Sequence, residues 1–76
     1  MQLKATLIDT TNEGFQYLIE QEGGLEIGMQ AWFYLPFNNP FRTSDLRKVE
    51  YGPIEDNKFK ITCTTRNSVY VFEVSL

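Results

Sequence analysis

Apolar and polar positions alternate with a period of two along much of this chain, most clearly over residues 59–76, FKITCTTRNSVYVFEVSL. Phe59, Ile61 and Cys63 alternate with Lys60, Thr62 and Thr64, and a second run from Val69 to Leu76 follows Arg66-Asn67 at once. Successive side chains of a strand point to opposite faces, so β-branched and aromatic alternation on both sides of a short polar break predicts a β-hairpin. Arg66 and Asn67 would form its exposed tip.

Upstream the same period recurs. Leu3, Ala5 and Leu7 share a face opposite Lys4 and Thr6, predicting a strand over 2–9. TTNEG at 10–14 reads as a turn, because Asn and Gly tolerate the positive φ that such turns require. Residues 15–21 then place Phe15, Tyr17 and Ile19 on one face and Gln16 and Glu20 on the other, so 2–9 and 15–21 are expected to pair as a hairpin. Glu22-Gly23-Gly24 breaks the pattern, Leu25-Glu26-Ile27-Gly28 redirects the chain, and 30–35 (QAWFYL) is the next strand. Its unbroken run Trp32, Phe33, Tyr34, Leu35 predicts burial on both faces, or an outer face covered by a neighbour.

PFNNP at 36–40 cannot continue a strand, since proline fixes φ and removes a donor. After FRTS at 41–44, residues 45–51 are read as a strand through Leu46 and Val49 rather than a helical turn capped by Ser44. The reasons are the alternation over 48–51 and the stop at Gly52-Pro53; 53–58 is a polar turn. Six short antiparallel strands without a convincing helix must curl to hide their edges. The expected fold is therefore all-β: one domain spanning 1–76, a small SH3-like antiparallel barrel of about six strands. Short loops favour that barrel over an OB-fold, which usually inserts a helix.

Length sharpens the picture. A 76-residue chain buries only roughly 60% of its unfolded surface, so domains of this size lean on disulfides, metals or self-association. Cys63 is the sole cysteine and there is no histidine, which removes an internal disulfide and the usual zinc ligands. Six Phe, four Tyr and one Trp are left to stabilise the fold, with homo-oligomerisation as the second expectation. Surplus apolar positions on 31–37 and on the last strand point the same way: Tyr70, Phe72, Val74 and Leu76 on one face, Val69 and Val71 on the other.

A net charge of −3 argues against duplex nucleic acid, which a basic face must bind by releasing counterions, and against anionic membranes. No run approaches the length of a membrane span, no signal layout opens the chain, and one unpaired cysteine fits a reducing cytoplasm. Enzymatic readings fare badly. Without histidine, imidazole acid–base catalysis and histidine-dependent triads are absent. Cys63, in line with Phe59 and Ile61, reads as a core residue; Glu55-Asp56 reads as a solvated turn, and Gly23, Gly24 and Gly28 match no phosphate loop. No catalytic residue, metal ligand or cofactor is expected.

The one polar grouping with chemical content combines Arg42-Thr43-Ser44 with Thr64-Thr65-Arg66-Asn67-Ser68. Arginine grips phosphate and carboxylate with a planar fork, and hydroxyls complete an anion site. Trp32, Tyr34 and Phe37 precede the first group and could stack a base or sugar. Arg42, Thr43, Ser44, Thr65, Arg66, Asn67, Trp32 and Tyr34 are thus the candidate ligand contacts, provided that the two segments meet. Solvated turn residues are the plainer explanation of the same pattern.

The second half, FRTSDLRKVEYG followed by FKITCTTRNSVYVFEV, is similar to a pattern in short uncharacterised phage and bacterial proteins. There a Thr-Ser-x-hydrophobic strand is followed, after a turn, by a Thr-x-Asn-Ser-x-Tyr strand. The matching positions are Thr43, Ser44 and Leu46, then Thr65, Asn67, Ser68 and Tyr70. The resemblance implies a compact β fold and a phage or mobile-element origin, and it carries over no functional residue.

Three functions are expected from these features. The first is a non-enzymatic, phage-type accessory protein that sequesters a small anionic ligand such as a nucleotide signal, a counter-defence role. The second is an acidic inhibitor or adaptor that presents Glu20, Glu22, Glu26, Glu50, Glu55 and Asp56 to a basic surface of a host protein. The third is a structural subunit of a larger assembly.

Overall fold

Seven strands and one short 3₁₀-helix make up the structure, a computed structural model that describes residues 3–35 and 40–76. The strands are β1 (Leu3–Thr10), β2 (Glu22–Ile27), β3 (Ala31–Tyr34), β4 (Pro40–Arg42), β5 (Leu46–Tyr51), β6 (Lys58–Thr65) and β7 (Val69–Ser75). They form one antiparallel sheet in the order β4-β3-β2-β1-β7-β6-β5. The fold class is all-β. The six-stranded barrel is corrected to a seven-stranded sheet that does not close: the edge strands β4 and β5, joined only by residues 43–45, are not paired to each other.

Two local readings account for the changed count. Residues 15–21 are not a strand; Glu13–Leu18 is a 3₁₀-helix, capped by the Asn12 side chain, which accepts from the Gly14 N–H at 2.9 Å. Asn12 has a φ of −83° and Gly14 no positive φ, so TTNEG is a helix start rather than a left-handed turn. The partner of β1 is instead β2, in which Glu22-Gly23-Gly24 lies opposite Thr6, Ala5 and Lys4. Pro40, Phe41 and Arg42 supply the seventh strand, and the remainder of the expected loop, 36–39, with the candidate stacking residue Phe37, lies outside the described residues.

Period two sorts the sheet into an inner and an outer face. Ala5, Leu7, Leu25, Ala31, Phe33, Ile61, Cys63, Tyr70, Phe72 and Val74 point inward and are buried. Phe33 and Phe72 pack with ring centroids 5.5 Å apart although β2 and β1 separate their strands. The sheet is therefore strongly coiled, and its inner face packs against itself. The helix plugs one end: Leu18 is buried, and Phe15 meets Phe41 and Tyr70 edge-on at 5.4 and 5.5 Å. Leu76, expected on the inner face, is exposed beyond the end of β7.

The terminal hairpin is as expected, with full β6–β7 register from Lys58↔Ser75 to Thr64↔Val69. The preceding 53–58 turn closes on Asp56 and Asn57, with φ of 52° and 62° between reciprocal Glu55–Lys58 backbone bonds of 2.8 and 2.9 Å. That is the turn whose twist suits a two-residue hairpin loop. Among the described residues no helix is long and apolar enough to cross a membrane.

Candidate ligand-binding face

Strand alternation decides which part of the aromatic run is available. Ala31 and Phe33 enter the core, whereas Trp32 and Tyr34 stand on the outer face, half-buried. Burial of β3 on both faces is thus corrected: the outer side is covered only in part. Trp32 and Tyr34, two residues apart on one strand, stack with centroids 6.3 Å apart and planes 17° from parallel.

The register of the neighbouring strands brings charge to this pair. Trp32 lies opposite Arg42 of β4 and opposite Glu26 of β2. The Arg42 guanidinium carbon is 5.9 Å from the Trp32 ring centre, within cation–π range. On the other side the Tyr34 hydroxyl donates to Glu26 Oε2 at 3.1 Å. Partial burial, and after it the Glu26 carboxylate, hold the Tyr34 phenol above its ordinary range, so it stays protonated and donating at neutral pH. The result is an aromatic floor between a cation and a carboxylate acceptor.

The two arginine segments do meet, at the end of the sheet next to this face. The Asn67 side-chain amide donates to Ser44 Oγ at 2.7 Å, and the Arg66 N–H donates to the Asp45 carbonyl at 3.1 Å. The tip of the β6–β7 hairpin is thereby tied to the β4–β5 link. The hydroxyls of Thr43 and Thr65, however, point inward and are already engaged. Thr43 Oγ1 accepts from the Ala31 N–H at 3.0 Å and donates to the Ser44 carbonyl; Thr65 Oγ1 accepts from the N–H groups of Asn67 and Ser68 and donates to the Ser68 carbonyl. Both residues are buried and shape the turns. Arg42, Arg66 and Asn67 are exposed, Ser44 half-buried, and among the described residues neither arginine has a carboxylate within salt-bridge distance.

The sequence groups Glu26 with an acidic face rather than with this site. Its signal was nonetheless present: in β2, Leu25 and Ile27 alternate with Glu26, which must then share the outer face with Trp32. The acidic residues expected to face a basic partner are dispersed. Glu22 pairs with Lys4 at 3.7 Å across β2 and β1, and Glu50 with Lys48 at 3.4 Å on β5, which β7 and β6 separate from β1, while Glu55 and Asp56 sit in the β5–β6 region.

A separate depression of about 400 Å³ lies near the β5–β6 turn, lined by Pro53, Glu55, Lys58, Phe59, Lys60 and Glu73 among others. It includes none of the predicted contacts, and Lys58 and Glu73 neutralise each other there at 3.7 Å. Cys63 is buried, and burial pushes its thiol up to about 11, away from any nucleophilic role at neutral pH. Among the described residues no three metal-binding side chains cluster. The chain matches no known protein family, no curated protein and no solved structure.

Proposed function

We propose that this protein is a non-enzymatic binding protein that holds a small anionic, ring-bearing ligand of the nucleotide class on the outer face of β2, β3 and β4. The observation that carries the reading is the stacked Trp32–Tyr34 pair flanked by Arg42 and Glu26. A base stacks on the aromatic pair, which is worth roughly 1–3 kcal/mol per base. Glu26 accepts from the base amino group or the sugar hydroxyls. Arg42 takes the phosphate through its planar fork. Arg66, Ser44 and Asn67 extend the polar rim, and Thr43 and Thr65 hold it in shape.

In this reading the coiled sheet is an opened small barrel of the SH3-like kind. The chain is an accessory protein of phage or mobile-element type that works in the cytoplasm and sequesters a nucleotide signal of its host, as a counter-defence device would. No reaction is required of it.

Calorimetric titration with mononucleotides, cyclic mononucleotides and cyclic dinucleotides, with inorganic phosphate as the control, tests this. The expected result is saturable binding of at least one nucleotide, weakened roughly tenfold or more in Trp32→Ala and Arg42→Ala while the melting curve stays close to wild type. Equal affinity in both variants and in the wild type would end the proposal.

A further inference from the structure

The sheet ends in two unlike edges. β4 has three residues and begins at Pro40, which has no N–H to offer. β5 has six residues, is paired on one side only, and carries exposed charges: Arg47, Lys48 and Glu50. Its outward-turned groups follow from the ladder. The Gly52 N–H donates to the Lys60 carbonyl at 2.8 Å, and Glu50 and Lys48 lie opposite Thr62 and Thr64. In an antiparallel pair the N–H and C=O of one residue point to the same side, and the side alternates along the strand. Lys48, Glu50 and Gly52 therefore bond to β6, and Val49 and Tyr51 present their backbone groups to the open edge.

We propose that this edge pairs with β5 of a second copy of the chain, antiparallel and about a two-fold axis through Val49. A two-fold axis sets residue i against j and j against i. The axis must pass through an outward-turned residue for the central pair to exchange hydrogen bonds, and Val49 is the one in the middle of the strand. That register sets Val49 against itself as a hydrogen-bonded pair. It sets Lys48 against Glu50 of the second copy, and Glu50 against Lys48 of the second copy, as non-hydrogen-bonded pairs, where side chains approach most closely. All four charges lie on the outer face, where within one chain Lys48 and Glu50 are 3.4 Å apart. Arg47, at the irregularity between Leu46 and Lys48, and Tyr51, 65% exposed in the single chain, lie at the two ends of the new ladder.

An edge lysine by itself repels a second copy and is a common protection against pairing. Here the lysine is followed two residues later by a glutamate, so the edge is complementary to itself. A domain this small gains from the added burial.

Light scattering on the size-separated protein, repeated at low and high salt, gives the mass. The wild type is expected at twice 8.9 kDa, dissociating more readily as salt rises. Lys48→Glu and Glu50→Lys each set like charges against each other across the axis, and each should weaken the dimer by roughly tenfold or more. Mixing the two variants restores opposite charges at both pairs, so the mixture should form a heterodimer; the doubly swapped chain should dimerise again. Both positions are exposed, and circular dichroism confirms that each variant is folded. A wild type that stays monomeric at millimolar concentration overturns the proposal. So does a dimer indifferent to both reversals, or a mixture that fails to associate.

Discussion

The Arg42 guanidinium stands 5.9 Å from the centre of the Trp32 indole, on directly opposed positions of β4 and β3. Strand register alone fixes this placement. The cation shields part of an indole that the core does not need, because Phe33, one residue on, already fills the inner face. It also places a positive charge beside an aromatic surface on a chain whose net charge is −3.

Loss of Arg42 should therefore cost little stability and much binding. An exposed cation–π contact contributes about 0.5–1 kcal/mol, so Arg42→Ala should lower stability in urea by no more than that. A charge-assisted bond to phosphate contributes more, and nucleotide affinity should fall roughly tenfold to a hundredfold. Arg42→Lys, with the charge but not the fork, should fall between. Parallel urea melts and calorimetric titrations of the three proteins check the ordering.

Thr65 and Asn67 lie two residues apart but differ in kind. Thr65 Oγ1 is buried and makes three bonds within its own turn, whereas Asn67 is exposed and bonds Ser44. Thr65→Val should destabilise by about 1–3 kcal/mol through unsatisfied backbone groups, and Asn67→Ala by under about 1 kcal/mol. Chemical denaturation of both separates them. A Thr65→Val protein as stable as wild type would mean that the hydroxyl does not organise the tip.

Gly23 faces a neighbour that leaves no room. A Cβ there would collide with the Tyr34 carbonyl oxygen and lie 2.7 Å from the Phe33 ring. Gly23→Ala must push β2 and β3 apart, and a loss of roughly 1–3 kcal/mol or more is expected. At Gly28 an added Cβ meets nothing within 4 Å and φ is not positive, so Gly28→Ala should be neutral or stabilising by up to about 1 kcal/mol. Thermal melts of the two variants are a direct comparison.

Alkaline pH should expose the cost of burying Cys63. Its thiol is raised by burial from 9.0 to about 11. Below the lower value the folded and unfolded chains are both protonated and the stability is intact. Between the two values the unfolded chain binds fewer protons, so stability falls as pH rises, by roughly 2–3 kcal/mol on reaching the upper one. Denaturation of wild type and Cys63→Ala from pH 8 to 11 should show a difference between them that shrinks across this window.

How far the sequence revealed the fold depended on which period each segment obeyed. β6 and β7 were legible because every second residue enters the core, and Arg66-Asn67 breaks the run at the tip. Residues 15–21 misled because Phe15, Tyr17 and Ile19 imitate alternation. The residues that turn toward the core are Phe15, Leu18 and Ile19, at helical spacing, and Tyr17 is 63% exposed. β2 was hidden for another reason: two glycines look like a turn, and only packing against Tyr34 and Phe33 shows why Gly23 has no side chain. Of the site, Trp32, Tyr34 and Arg42 were visible as residue types. Their convergence with Glu26 depends on pairing across three strands, which local pattern does not encode.

Trp32 is the only tryptophan, so its fluorescence reports on the proposed face without a label. Titrating the nucleotide panel while following that emission, with native mass spectrometry of protein purified gently from its own host cells, is the most direct measurement. The account predicts a saturable change in emission with at least one nucleotide, none with inorganic phosphate at the same concentration, and a midpoint moved roughly tenfold or more to higher nucleotide concentration in Arg42→Ala. Emission that no nucleotide alters, together with a native mass at a clean multiple of 8.9 kDa, would contradict it.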